Sequence, residues 1–161
     1  MKTEFTEKQK FTQWWLWLIL AGIGFLPIYG IYKQLILGEA FGNKPMSDVG
    51  LIVFSIFVFG LITLFGLLNL KTEIDQHEVR MHFFPFAKKK ISWNDIKHAQ
   101  VVDYGFVGGW GIRIGSKYGT IYNVSGSKGL AIELKDGKKF VIGTQREIEL
   151  EKVINNIQSK R

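Results

Sequence analysis

The chain has 161 residues, a formal net charge of +7 and no cysteine. That length allows one modest domain plus membrane anchors and argues against two domains of independent function, while the lack of cysteine excludes disulfides, thiolate metal sites and a cysteine nucleophile. The basic balance invites a nucleic-acid partner, yet the sequence holds no basic helix or aromatic-basic motif of a known module, so none is expected.

Residues 1–10 are polar and basic and read as a cytoplasmic N-terminal segment. They lead into an apolar run, 11–32, with Trp14, Trp15 and Trp17 near its start and Tyr29 and Tyr32 at its end, the distribution of an interfacial aromatic belt. A signal peptide is the competing reading, but the small-residue pair Gly22 and Gly24 lies inside the run instead of after it. Residues 33–48 form a short external loop with Gly38, Gly42, Asn43 and Pro45 as turn residues. The second span, 49–69, contains the uncharged stretch Val49–Leu68, in which 15 of 20 residues are Val, Leu, Ile or Phe. At 1.5 Å rise per residue, about twenty residues cover the roughly 30 Å of bilayer hydrocarbon.

Lys2, Lys8, Lys10, Lys71 and Arg80 stand on one side of the two spans, against Lys33 and Lys44 on the other. This bias predicts a multi-pass protein of the cell inner (plasma) membrane with both termini cytoplasmic. Neither span holds Asp, Glu, Lys, Arg or His, so transport by this chain alone is not expected. Gly22, Gly24, Gly60 and Gly66 read as permissive glycines in lipid, with close helix packing as the alternative.

From residue 70 the hydrophobic period drops from 3.6 to 2, and residues 70–161 form one cytoplasmic domain. Strands are predicted over 70–75, 78–84, 89–93, 96–103, 110–115, 120–124, 130–135 and 138–142, with Asp136-Gly137 as a hairpin turn. Thr144 and Glu147 have capping-box spacing, followed by Leu150, Val153, Ile154 and Ile157 at i, i+3, i+4 and i+7. Seven or eight antiparallel strands and one C-terminal helix predict a partly open barrel or sandwich with the helix covering one end. Such a unit is expected to fold as residues 71–161 alone.

The segments Ile91-Ser92-Trp93-Asn94-Asp95-Ile96, Gly109-Trp110-Gly111-Ile112-Arg113, Tyr122-Asn123-Val124-Ser125-Gly126 and Ile142-Gly143-Thr144-Gln145 resemble the bacterial pleckstrin-homology-like (PH-like) domains found behind membrane hairpins. The resemblance spans about residues 70–158 and implies a mainly-β PH-like barrel with one C-terminal helix behind an α-helical membrane hairpin, a binding or scaffolding role, and no enzymatic activity. Phosphoinositide-binding PH domains carry a cluster of Lys and Arg at the first hairpin, whereas this chain has Gln76-His77 at that turn.

No nucleophile elbow or catalytic constellation is visible, and His77, His82 and His98 lack metal-ligand spacing, so no catalytic residue, cofactor or metal is assigned. The glycines 105, 108, 109, 111 and 115 do not lead from a strand into a helix, so a phosphate loop is not favoured. Asn123-Val124-Ser125 matches a glycosylation sequon but falls on the predicted cytoplasmic side.

Phe84, Phe86, Lys88, Lys89 and Lys90 are the membrane-contact candidates. A strand that leaves the membrane at Leu70 and returns along 78–84 brings the Phe84-Pro85-Phe86 turn back to the bilayer and leaves Gln76-His77 far from it. The plain alternative is a hairpin whose phenylalanines are core and whose lysines are a solvated face. The functional expectation is a non-enzymatic scaffold or adaptor that binds a protein partner or the inner-leaflet surface. The alternative is an accessory subunit of a membrane transport or enzyme complex.

Overall fold

The structure is a computed structural model that describes residues 3–160. The chain divides into two compact units, residues 12–67 and a second unit made of residues up to 11 together with those from 68 onward.

The first unit is a helical hairpin of α1 (Trp14–Ile31), continued by a π-helical turn (Tyr32–Ile36), and α2 (Asp48–Leu67). Both helices are long and apolar enough to cross a membrane. Ser47 Oγ accepts the Gly50 N–H at 3.2 Å at the start of α2, where Asp48 also meets the positive helix end. Gln34 Nε2 donates to Met46 O at 2.9 Å and Asp48 Oδ1 at 2.7 Å, tying down the loop between the helices. Two glycines are packing positions: a Cβ at Gly24 would lie 3.0 Å from Ile62 Cδ1, and one at Gly30 3.1 Å from Leu51 Cδ1. Gly22 and Gly60 face open space.

The second unit holds nine strands among the described residues. β1 (Phe5–Lys10), β2 (Asn69–Ile74), β3 (Glu78–Phe84) and β4 (Ala87–Ser92) form an antiparallel sheet in that order. β5 (Ile96–Asp103), β6 (Gly111–Ser116), β7 (Gly119–Asn123), β8 (Lys128–Leu134) and β9 (Lys139–Gly143) form a second sheet in the order β5-β8-β9-β7-β6, followed by α3 (Glu147–Ser159). β5, β8 and β9 alone make an antiparallel meander, and the β6–β7 hairpin is inserted between β5 and β8.

Three features depart from the sequence expectation. Residues 5–10 are a strand, with Phe5, Glu7 and Gln9 buried and Thr6, Lys8 and Lys10 exposed, so the domain extends beyond 70–161. The inward positions 7 and 9 are polar, which hides the alternation from a hydrophobicity pattern. β7 pairs with β9 in parallel, so the second sheet is not wholly antiparallel. There Gly119, at φ +79°, is obligatory, because a Cβ would fall 2.0 Å from Lys139 O. Finally, Thr144 does not cap α3, which starts at Glu147: its hydroxyl donates to Glu7 Oε2 at 2.6 Å and accepts the Arg146 N–H at 3.0 Å.

The strands of the two sheets cross. At the start of β9, Phe140 lies under the Lys89 ammonium of β4, 5.0 Å from the ring centroid, and at its end Gly143 O accepts from Gln9 Nε2 of β1 at 2.7 Å. β9 therefore traverses the first sheet from one edge to the other. Between the sheets lie Leu70, Ile74, Met81, Phe83, Leu130, Ile132 and Ile142, with Leu150, Ile154 and Ile157 of α3 buried as their spacing predicts. A second small core lies on the opposite face of the second sheet, where Tyr104, Val107 and Tyr118 pack over Ile121 and Val141.

Candidate functional site at the helix-proximal edge

One end of the first sheet is defined by chain connectivity. Lys10, Asn69 and Phe84 pair across β1, β2 and β3 in a single row. Four residues beyond Lys10 the chain enters α1, and two residues before Asn69 it leaves α2. The β3–β4 turn, which closes with the Phe86 N–H donating to Phe83 O at 2.8 Å, stands at this same end. Phe84 is 38% and Phe86 60% exposed, and the Phe84 ring meets the edge of His82 at 5.7 Å.

The three lysines that follow do not act as one run, because strand alternation sends them to different places. Lys88 is exposed opposite His82. Lys89 turns inward, its ammonium 5.0 Å from the Phe140 and 5.8 Å from the Tyr122 ring centroid. Lys90 is exposed but tied to Glu78 Oε2 at 3.0 Å. Thus Phe84, Phe86 and Lys88 cluster at the turn, Lys89 lines the mouth between the sheets, and Lys90 belongs to a charged network further along.

In that network Arg80 reaches Asp75 at 3.2 Å, Glu78 at 3.2 Å and Glu73 at 3.5 Å. Burial pushes the Asp75 carboxyl up, but the N–H groups of His77 and Glu78 and the Arg80 guanidinium outweigh it and hold the group below the usual carboxylate range. Trp93 Nε1 donates to Asp75 O at 2.8 Å, so this cluster fixes the turn at the far end of the sheet. Its charges are mutually compensated.

A depression of about 260 Å³ opens between Lys89 of β4 and the second sheet, lined also by Ile114, Thr120, Lys138, Lys139 and Phe140 among others. Lys138 pairs with Asp136 at 2.7 Å and Lys139 with Glu133 at 3.2 Å. Ile114 is 86% exposed on β6. Sequence reading missed it; the only signal is Ile112-Arg113-Ile114, whose alternation puts both isoleucines on one face of an outer strand. Two other depressions, about 290 Å³ beside His98, Lys117 and Tyr118 and about 620 Å³ between β5 and α3, are bordered by the paired Glu133.

The glycine-rich segment is a loop between β5 and β6 in which Gly105, Gly108, Gly109 and Gly111 have positive φ. Burial raises the Tyr104 hydroxyl above the usual phenol range; it accepts from Asn123 Nδ2 at 3.0 Å. Asn123 is itself buried and accepts the Gly111 N–H at 3.0 Å, so the sequon asparagine is committed to the interior. Among the described residues, His77, His82 and His98 join no group of three or more His, Asp or Glu that could hold a metal ion. No protein-family model matches the chain, and no curated protein or solved structure matches it either.

Proposed function

We propose that this chain is a two-span integral membrane protein whose β domain is a PH-like, non-enzymatic binding platform seated on the cytoplasmic surface of the bilayer. The observation that carries this reading is the pairing of β1 with β2, Lys10 opposite Asn69. One strand precedes the two apolar helices and the other follows them, so both ends of the hairpin return to the same sheet and hence to the same side of a membrane. The lysine excess flanking these ends makes that side cytoplasmic.

The PH-like assignment draws support from the arrangement of a four-stranded meander, a second meander of β5, β8 and β9, and a C-terminal helix. The helical hairpin is then an insertion between the first two strands. Because each end enters the domain through a few residues, the domain cannot swing from a long tether. Phe84, Phe86 and Lys88 at the helix-proximal turn orient it. Burying one Phe contributes ~1.5–3 kcal/mol and each lysine near an anionic leaflet ~1 kcal/mol, less than two spans already supply.

The test places an environment-sensitive fluorophore at Phe86→Cys or His77→Cys in the full chain, reconstituted into anionic vesicles. Blue-shifted emission at 86 and water-like emission at 77 support the reading. Water-like emission at both contradicts it.

A further inference from the structure

The second sheet runs along the first from its far end to its helix-proximal end. β5 follows the far end of β4 through Trp93–Asp95, where the Trp93 N–H donates to His77 O at 3.1 Å. β7, three strands across in the order β5-β8-β9-β7-β6, has its Tyr122 ring 6.5 Å from Phe83, one residue before Phe84. Three interstrand steps of ~4.8 Å make roughly 14 Å, which matches the roughly 13 Å along β3 from Val79 to Phe83 at ~3.3 Å per residue. β6 lies one further step out, level with the Phe84-Pro85-Phe86 turn or beyond it, and this is the strand that carries Ile114.

We infer that β6, through Ile114, is a second lipid-contacting element beside the β3–β4 turn, so the domain meets the bilayer along an edge instead of at one point. This deepens the membrane-seated reading and rests on it. The β6–β7 register shifts between Arg113 and Ser116, but Ile114 lines one depression with Thr120, Phe140 and Lys89, which places it on the side of the second sheet that faces β4. The first sheet does not cover it there, and it remains 86% exposed. Ile114 and Lys89 line the same depression, and Lys89 is three residues from Phe86, so the two apolar prongs flank one cationic mouth. An apolar side chain left open at the end of the domain where the chain enters two apolar helices has hydrocarbon as its natural solvent. The exposed Lys88 beside the turn suits an anionic leaflet.

The full chain lacks cysteine, so single sites can be labelled. A fluorophore at Ile114→Cys is compared with one at Ile148→Cys, which is 71% exposed at the start of α3. There Arg146 Nη1 donates to Thr6 O at 2.8 Å, four rows from the Lys10 end. In vesicles of anionic phospholipid carrying nitroxide on the acyl chain, the probe at 114 is expected to be quenched several-fold more than the probe at 148. Quenching at Phe86→Cys without quenching at 114 overturns this inference while leaving the proposed function standing. Water-like, unquenched probes at both 86 and 114 overturn both. Unquenched 114 combined with cross-linking of β6 to a second copy assigns the edge to a protein contact and likewise overturns the inference.

Discussion

α2 and α3 are both regular helices, yet they dispose of their apolar residues in opposite ways. α3 buries one stripe, Leu150, Ile154 and Ile157, against the sheets and leaves Glu149, Glu151 and Lys152 outside. α2 buries only Leu51, Ser55 and Val58 and leaves Ile56, Phe57 and Phe59 uncovered on its other sides. A stripe is what a helix needs when water lies behind it, and an all-round apolar surface is what it needs when lipid does. Inside the domain the inward polar residues are met by partners from β9 and the segment after it: Glu7 accepts from Thr144 and Gln145, and Gln9 Nε2 donates to Gly143 O.

The largest expected effect lies on the stripe. Ile154→Ala empties a buried site between α3 and the sheets and is expected to cost ~2–5 kcal/mol, read as a lowered denaturation midpoint of the detergent-solubilised chain. Next comes Ile56→Asp near the middle of α2, where the native side chain is 68% exposed. On a water-facing surface such a change stays within about 0.5 kcal/mol, but at mid-membrane an Asp costs ~2.5–3.5 kcal/mol. Loss of carbonate-resistant membrane integration is expected, and unchanged integration would erase the contrast between the helices.

Acid titration sharpens the picture at the far end of the first sheet. Because the folded Asp75 carboxyl lies below its unfolded value near 4, it contributes stability that is fully present above that value and is lost as pH falls through the folded one. Asp75→Asn is therefore expected to lower stability at neutral pH by ~1–3 kcal/mol and to flatten the acid limb of the stability profile. The smallest effect belongs to Ile148→Asp. At 71% exposure it matches Ile56, but it sits in the first turn of α3, where an acid is tolerated, so a change within ~0.5 kcal/mol is expected.

Much of this was readable from local pattern. The two long apolar helices, the Glu78–Phe84 strand, the Asp136-Gly137 hairpin and the α3 stripe all follow from periodicity and turn chemistry. What was not readable depends on partners far away in the chain. Glu7 and Gln9 look like surface residues until Thr144, Gln145 and Gly143 meet them from 134 to 138 residues away. The same Glu7 takes the Thr144 hydroxyl that sequence spacing assigns to a capping box. The parallel pairing of β7 with β9 depends on how an inserted hairpin docks, which no local signal encodes. At the candidate site, the exposure of Phe84 and the different fates of Lys88, Lys89 and Lys90 follow from a period of two, whereas the importance of Ile114 needed the strand order.

The central claim is that two apolar helices cross a bilayer and that strand β1–β2 pairing brings both ends back to one side. Asn43→Cys in the exposed loop between the helices and Ser127→Cys between β7 and β8 report opposite sides in intact cells treated with a membrane-impermeant thiol reagent. The account predicts labelling at 43 without disruption and at 127 only after permeabilisation. Labelling at 127 in intact cells, or equal labelling of the two positions, contradicts it.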